Sequence, residues 1–413
     1  MKARRLVFGA VTAALVVACA EGVSYAALYL FNRRSDEPIL TRRAIYADQS
    51  ARIRALLDTV RPRMVELDSE LGWRYRAGFK NGVTRISAQG LRSRRLYARK
   101  PVEGVLRVAA FGDSFVYGNE VGDADAWAAQ VERLDPTIEV LNYGVGGYGD
   151  DQALLRYLDE GDDLEPDLVI LGFMPDDLGR LVNVYRRFRS EREYALVKPR
   201  YVLGKAGDLV LLPPPLQAAG DWARYLARPG DVAGLGRHDY WYEPAIYRNP
   251  LYDYSATVRL ASSLWIRVRR RYLDADRLSR GAFFSTTSSA FRIQLAVFHL
   301  FADSVRVTGA MPALLFFPDR ESVQRSTRGL LPRYNPLVVA ARAMGIECLD
   351  GANAFARDPS GGTAGWFDPG GHYSPAGNLA LARWLVDQLG RMRGEAPIRV
   401  AAAGSAARAR AAP

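Results

Sequence analysis

Residues 105–118 read VLRVAAFGDSFVYG, and this stretch decides the fold. Val105–Phe111 is an apolar run broken only by Arg107 and closed by Gly112, the signature of a short buried strand. Gly112-Asp113-Ser114 then turns the chain toward a helix. The same unit recurs along the sequence. Strands are expected at 105–111, 138–141, 168–172, 312–317 and 345–349, and helices at 126–134, 151–159, 291–307, 336–344 and 375–389. LVILG at 168–172 is a continuous branched apolar run, as in strands covered on both faces. Strands alternating with helices predict an α/β domain with a parallel sheet and helices on both sides. Open sheets of this kind place their sites at the carboxyl edge of the strands, so Ser114 is a candidate by position.

Composition narrows the chemistry. The chain has 413 residues, 49% of them hydrophobic and 24% charged, which excludes a disordered or fibrous protein for its bulk. Two cysteines, Cys19 and Cys348, build neither a disulfide framework nor a four-ligand zinc site. The three histidines, His238, His299 and His372, leave little room for a His-rich metal centre, and no metal or cofactor is expected. The net charge of +11 comes from scattered arginines. No zinc finger, RNA-recognition signature or basic zipper accompanies them, so the balance reads as attraction to anionic membrane, with no nucleic-acid partner. Gly144, Gly146, Gly147 and Gly149 lack the following Lys-Ser/Thr of a phosphate cradle.

Leu6–Phe31 carries one charge, Glu21, with Lys2, Arg4 and Arg5 before it and Arg33 and Arg34 after it. A spanning helix needs about 20 mainly apolar residues. The expected reading is a retained single-span anchor with a cytoplasmic start, an extracytoplasmic body and a bacterial inner-membrane location; Glu21 is expected near the far interface or snorkelling. Lipidation at Cys19, or cleavage near Ala18–Ala20, are the alternatives. The expected organisation is an anchor at 1–34, a charged helical juxtamembrane stalk and β-rich lead-in at 35–104, an α/β domain at 105–390 and a disordered tail at 391–413. Residues 181–290 break the α/β rhythm with Pro213-Pro214-Pro215 and an aromatic patch through Tyr254, and read as an inserted cap.

Far downstream stands Asp368-Pro369-Gly370-Gly371-His372, in a Gly/Pro-rich loop before the last helix. A serine, a histidine able to take its proton and a carboxylate orienting the histidine form the logic of nucleophilic acyl chemistry. The order of Gly-Asp-Ser early, a glycine-rich loop, a Gly…Asp loop and a late Asp…His resembles the SGNH/GDSL hydrolase family over residues 105–390. The lead-in, GWRYRAG to RISAQGLRSRR, looks like the segment before the catalytic domain in membrane-anchored bacterial members. The resemblance implies a flavodoxin-like three-layer α/β/α fold and an esterase, lipase or carbohydrate O-acyl esterase. It implies Ser114 as nucleophile, His372 as base and Asp368 as its orienter, with a three-residue gap between the last two where two is commonest. Backbone N–H groups of Ser114 and Gly144 would serve the oxyanion. The third block departs: Gly172-Phe173-Met174-Pro175-Asp176-Asp177 puts Asp176 where an asparagine amide would be the third donor, and an ionised carboxylate cannot donate. Asp176 is then either protonated or a missing donor. The expected function is ester hydrolysis outside the cytoplasm through an acyl-enzyme, on an acylated small molecule, glycan or lipid. The rivals are O-acyl transfer to exported glycans and a catalytically impaired glycan-binding module.

Overall fold

The computed structural model describes residues 2–58, 63–356 and 365–395. Its centre is a five-stranded parallel sheet: β3 (Leu106–Phe111), β4 (Ile138–Asn142), β5 (Leu168–Phe173), β10 (Met311–Phe316) and β11 (Glu347–Asp350). The strand order is β11-β10-β5-β3-β4, and every pairing is parallel. Numbered by their appearance within this sheet, the strands run 2-1-3-4-5, the flavodoxin-like order. Side chains alternate across both buried faces as the pleat requires. Val108, Ala110, Ile170, Ala313 and Leu315 face one layer, and Ala109, Phe111, Leu171, Leu314 and Phe316 the other.

The preceding segments are α1 (Lys2–Asn32), α2 (Arg42–Leu57) and the antiparallel hairpin β1 (Val65–Asp68) and β2 (Gly72–Tyr75). After β3 come α3 (Ser114–Tyr117) and α4 (Trp127–Leu134), then α5 (Asp150–Glu160) after β4 and α6 (Asp177–Leu181) after β5. The inserted region holds β6 (Arg200–Leu203), β7 (Leu209–Leu212), α7 (Ala219–Ala227), α8 (Pro244–Tyr247), α9 (Ala256–Val268), β8 (Ser279–Arg280) and β9 (Phe283–Phe284). The α/β pattern resumes with α10 (Ser289–Val307), α11 (Arg320–Thr327), α12 (Asn335–Ala343), α13 (Ala352–Ala356) and α14 (Pro375–Glu395). Side chains of α5, α10 and α12 fill one layer beside the sheet, and those of α4, α13 and α14 the other. The expected core elements differ from these by a residue or two at most ends.

Three expectations change. Helix α2 is not a free stalk: Ile45 and Ile53 are buried, and Arg42 pairs with Asp253 of the insertion at 2.9 Å. The last helix runs on to Glu395, so residues 391–395 are helical and not tail, because Leu385 and Leu389 keep its inner face in the core. Residues 396–413 lie outside the described residues. Glu21 does not snorkel: its carboxylate accepts hydrogen bonds from the Ser255 hydroxyl, from Ala256 N–H at 2.7 Å and from Thr257 N–H at 3.4 Å, at the start of α9. Most of the aromatic patch packs inward around Trp222, Tyr225 and Tyr185, with Tyr242 stacked on Tyr247, while Tyr254 is exposed.

Candidate active site

Ser114 and His372 meet at the carboxyl edge of the sheet, beyond the ends of β3 and β5. Leaving β3, the chain turns at Asp113, whose carboxylate accepts from Phe115 N–H at 2.8 Å and so caps the short helix that begins with Ser114. Ser114 is buried, and its Oγ lies 2.9 Å from His372 Nε2. His372 is held from two sides. Phe115 packs against the ring with centroids 5.1 Å apart, and the Glu120 Oε1 carboxylate oxygen lies 3.0 Å from Nδ1. A carboxylate at Nδ1 favours the tautomer with its proton there, leaving the Nε2 lone pair for the serine proton.

The carboxylate that meets the imidazole is therefore that of Glu120, not Asp368. Asp368 and His372 face each other through their backbones: Asp368 N–H donates to the His372 carbonyl at 2.9 Å, closing a tight turn flanked by the Phe367–Tyr373 bridge. Among the described residues the Asp368 carboxylate makes no hydrogen bond to the imidazole, and its carbonyl accepts from Arg320 Nη2 at 3.2 Å. With the turn closed by the backbone, Nδ1 meets the loop after α3. That loop reverses at Gly118 and carries Glu120 in the left-handed region at φ 69°. Gly370 makes room for it: a Cβ there would lie 1.8 Å from Glu120 Oε1.

The glycine-rich loop after β4 is arranged differently from expectation as well. Gly144 N–H is already donated to Asn142 Oδ1 at 3.0 Å, which removes it as a free oxyanion donor. Gly146 N–H donates to the Tyr75 hydroxyl at 2.8 Å. Gly147, at φ 83°, has an N–H with no acceptor among the described residues. Trp73 Nε1 donates to the Gly146 carbonyl at 3.2 Å, and the Tyr148 hydroxyl to the Trp73 carbonyl at 2.6 Å. The β1–β2 hairpin thus clamps this loop, a role the sequence did not reveal.

Beneath Ser114 lies a buried charge cluster. Arg180 Nη1 reaches Asp113 Oδ2 at 2.5 Å, Asp177 Oδ1 at 2.8 Å and the Tyr148 carbonyl at 3.3 Å, tying the loops after β3, β4 and β5 together. Burial, and then the Asp113 charge, push the Asp177 carboxyl well above its ordinary value against the pull of Arg180. Asp150, which accepts from Gln294 at 2.6 Å, is pushed the same way by burial and by Asp177.

Asp176 makes no hydrogen bond to Ser114 or His372 among the described residues. Its Oδ2 pairs with Arg189 Nη2 of the insertion at 2.8 Å, and the side chain is 52% exposed. Partial burial pushes its pKa up, but Arg189, Arg180 and Arg186 outweigh this and hold the carboxyl below the usual range. Asp176 is thus a charged acceptor and not a protonated donor. Of the five sequence candidates, the structure brings Ser114 and His372 into contact, and leaves Asp368, Gly144 and Asp176 with other partners. Glu120 was missed. Glu120 follows Ser114 by six positions, and its signal was the Gly370-Gly371 pair that leaves space before His372. Among the described residues no group of three or more His, Cys, Asp and Glu is arranged to hold a metal ion.

In structure the chain is similar to GDSL-type hydrolases. The lipase/acylhydrolase from Enterococcus faecalis is 14% identical, with 70% of this chain and 97% of that chain covered and a TM-score of 0.34. A protein described as lipolytic, of the G-D-S-L family, from Desulfitobacterium hafniense DCB-2 is also 14% identical, covering 68% of this chain and 98% of its own, with a TM-score of 0.30. A two-domain esterase active on acetylated mannans is 12% identical, covering 70% of this chain and 50% of its own, with a TM-score of 0.30. No family model and no curated protein matches the chain.

Proposed function

We propose that the protein is a serine-dependent ester hydrolase working through an acyl-enzyme on Ser114. The observation that carries this is the continuous relay from Ser114 Oγ through both nitrogens of His372 to Glu120, at 2.9 and 3.0 Å. His372 Nε2 takes the serine proton as Oγ attacks the ester carbonyl, and Glu120 balances the imidazolium that forms. The backbone N–H of Ser114 receives the oxyanion. Nε2 then returns the proton to the leaving alcohol, and water, deprotonated by the same nitrogen, releases the acyl group. Asp176 contributes no donor, so the site works with fewer donors than the three usual in the resemblance.

The substrate is proposed to be an acylated glycan, lipid or small molecule met outside the cytoplasm, with α1 as a retained membrane anchor. Helix α1 is long and apolar enough to cross a bilayer, with mean hydropathy 2.1 in its most apolar window. The test is hydrolysis of short-chain nitrophenyl esters by the full chain and by Ser114→Ala. Activity confined to the wild type supports the proposal, and equal activity in both rejects it.

A further inference from the structure

Helix α9 is joined to the anchor at two points. Glu21 accepts from the first N–H groups of α9, with Thr257 Oγ1 also donating to Ser24 Oγ at 3.1 Å. Ten residues further along α1, Phe31 lies under the Arg267 guanidinium at 5.0 Å. The two helices therefore run side by side in the same direction. Depth follows from the rise of the helix. Leu6 to Glu21 spans about 22 Å at about 1.5 Å per residue, short of the roughly 30 Å hydrocarbon core. A bilayer filled by α1 from Leu6 thus reaches about 8 Å past Glu21, and takes the start of α9 with it. A carboxylate at that depth is costly unless it has partners, and the α9 N–H groups supply them.

The surface of α9 suits that position. Ala261, Leu264, Trp265, Val268 and Tyr272 recur at helical spacing and are exposed. Leu251 and Tyr254, just before the helix, are exposed too. Arg267 and Arg271 pair with no carboxylate among the described residues, whereas Arg269 and Arg270 are held by Glu243. An apolar stripe with an aromatic residue, and arginines at the level where α1 leaves the hydrocarbon core, is the pattern of a helix that passes outward through an anionic membrane interface.

We propose that residues 251–273 form a second membrane contact, docking on the outer leaflet of the membrane that α1 crosses, with Trp265 in the headgroup layer. This rests on the reading of α1 as a retained anchor. The consequence is a catalytic domain fixed in orientation and height, because α9 belongs to the insertion whose Arg189 and Trp241 contact Asp176 and Gly179 beside the site.

The seven tryptophans make the test direct, since Trp265 is the exposed one and none lies in α1. The full chain is reconstituted in phosphatidylcholine/phosphatidylglycerol vesicles containing headgroup nitroxide lipid. Flotation, tryptophan emission and quenching are measured for wild type, Trp265→Phe and Leu264→Asp/Val268→Asp. The expected result is that all three float, that wild type is quenched, and that Trp265→Phe and the double variant each lose more than half of that quenching. Floating protein whose quenching is absent, or unchanged by Trp265→Phe, overturns the docking and leaves the anchor standing. Emission from Trp265 that is blue-shifted without quenching, and only at high protein-to-lipid ratio, assigns the face to a second copy and also overturns it. Failure of the wild type to float overturns both the anchor and the docking. Ester hydrolysis, assayed on the same samples, reports separately on the Ser114 proposal.

Discussion

Replacing Glu120 with glutamine removes the charge that faces His372 Nδ1 while keeping the side-chain shape. The magnitude follows from the geometry. In the transition state His372 becomes an imidazolium 3.0 Å from the Glu120 oxygen. At that separation two unit charges attract by about 5.5 kcal/mol at an effective dielectric of about 20, and by about 1.4 kcal/mol in bulk water. The two side chains are 21% and 32% exposed, so the environment lies between these limits. A value near 3 kcal/mol corresponds to a loss of about 10²-fold in kcat, bracketed by roughly tenfold and 10⁴-fold. The assay is steady-state hydrolysis of a nitrophenyl ester at neutral pH, with Asp368→Asn measured beside it. Glu120→Gln should fall into that bracket with its thermal midpoint nearly unchanged, since a partly exposed surface carboxylate contributes little to packing. Asp368→Asn should stay within about threefold of wild type, because its carboxylate makes no contact with the imidazole. The reverse pattern, with Asp368→Asn crippled and Glu120→Gln active, would refute the assignment.

Three further outcomes are expected. Gly370→Ala places a Cβ where the Glu120 carboxylate sits, so kcat should fall with the fold intact, and combined with Glu120→Gln it should cost little more than Glu120→Gln alone; additive losses would show that Gly370 acts elsewhere. Asp176→Asn removes a carboxylate that is paired with Arg189 and makes no hydrogen bond to Ser114 or His372, so kcat should stay within roughly tenfold of wild type, and a loss of activity at every pH would show a positive role for the carboxylate. Asp150 and Asp177 keep their protons in the folded state to higher pH than in the unfolded chain. Between the ordinary carboxylate pKa near 4 and their raised folded values the native state binds more protons, so stability falls as pH rises through that window. Asp150→Asn, which preserves the oxygen that accepts from Gln294, should flatten the dependence of the thermal midpoint on pH above about 4, and an unaltered slope would contradict the buried-carboxylate account.

The sheet was legible because its strands announce themselves. Leu168–Phe173 and residues 312–316 are buried on both faces, and such runs have few other places to go. Ser114 and His372 were legible because each stands in a loop at a strand end or helix start, where backbone restraints place side chains outward. Which carboxylate meets the imidazole was not legible, because nearness in sequence does not fix nearness of side chains. Asp368 and His372 spend their proximity on a backbone hydrogen bond, while Glu120 arrives from a left-handed turn whose direction no periodicity encodes. That the Gly144 N–H is taken was not legible, since it depends on where the Asn142 side chain points. The clamp from Trp73 and Tyr75 and the contact of Glu21 with α9 are long-range pairings, and neither helical nor strand patterning carries that information.

The claim most worth testing is that Ser114 is an activated nucleophile. A fluorophosphonate probe forms a stable adduct with a serine whose proton is drawn off by a neighbouring histidine, and leaves ordinary serines untouched. Intact-mass analysis of the full chain after exposure should show one adduct, mapped by peptide sequencing to Ser114, absent in Ser114→Ala and strongly slowed in His372→Ala. A wild-type chain that acquires no adduct, or one that maps to another serine, would contradict the account at its centre.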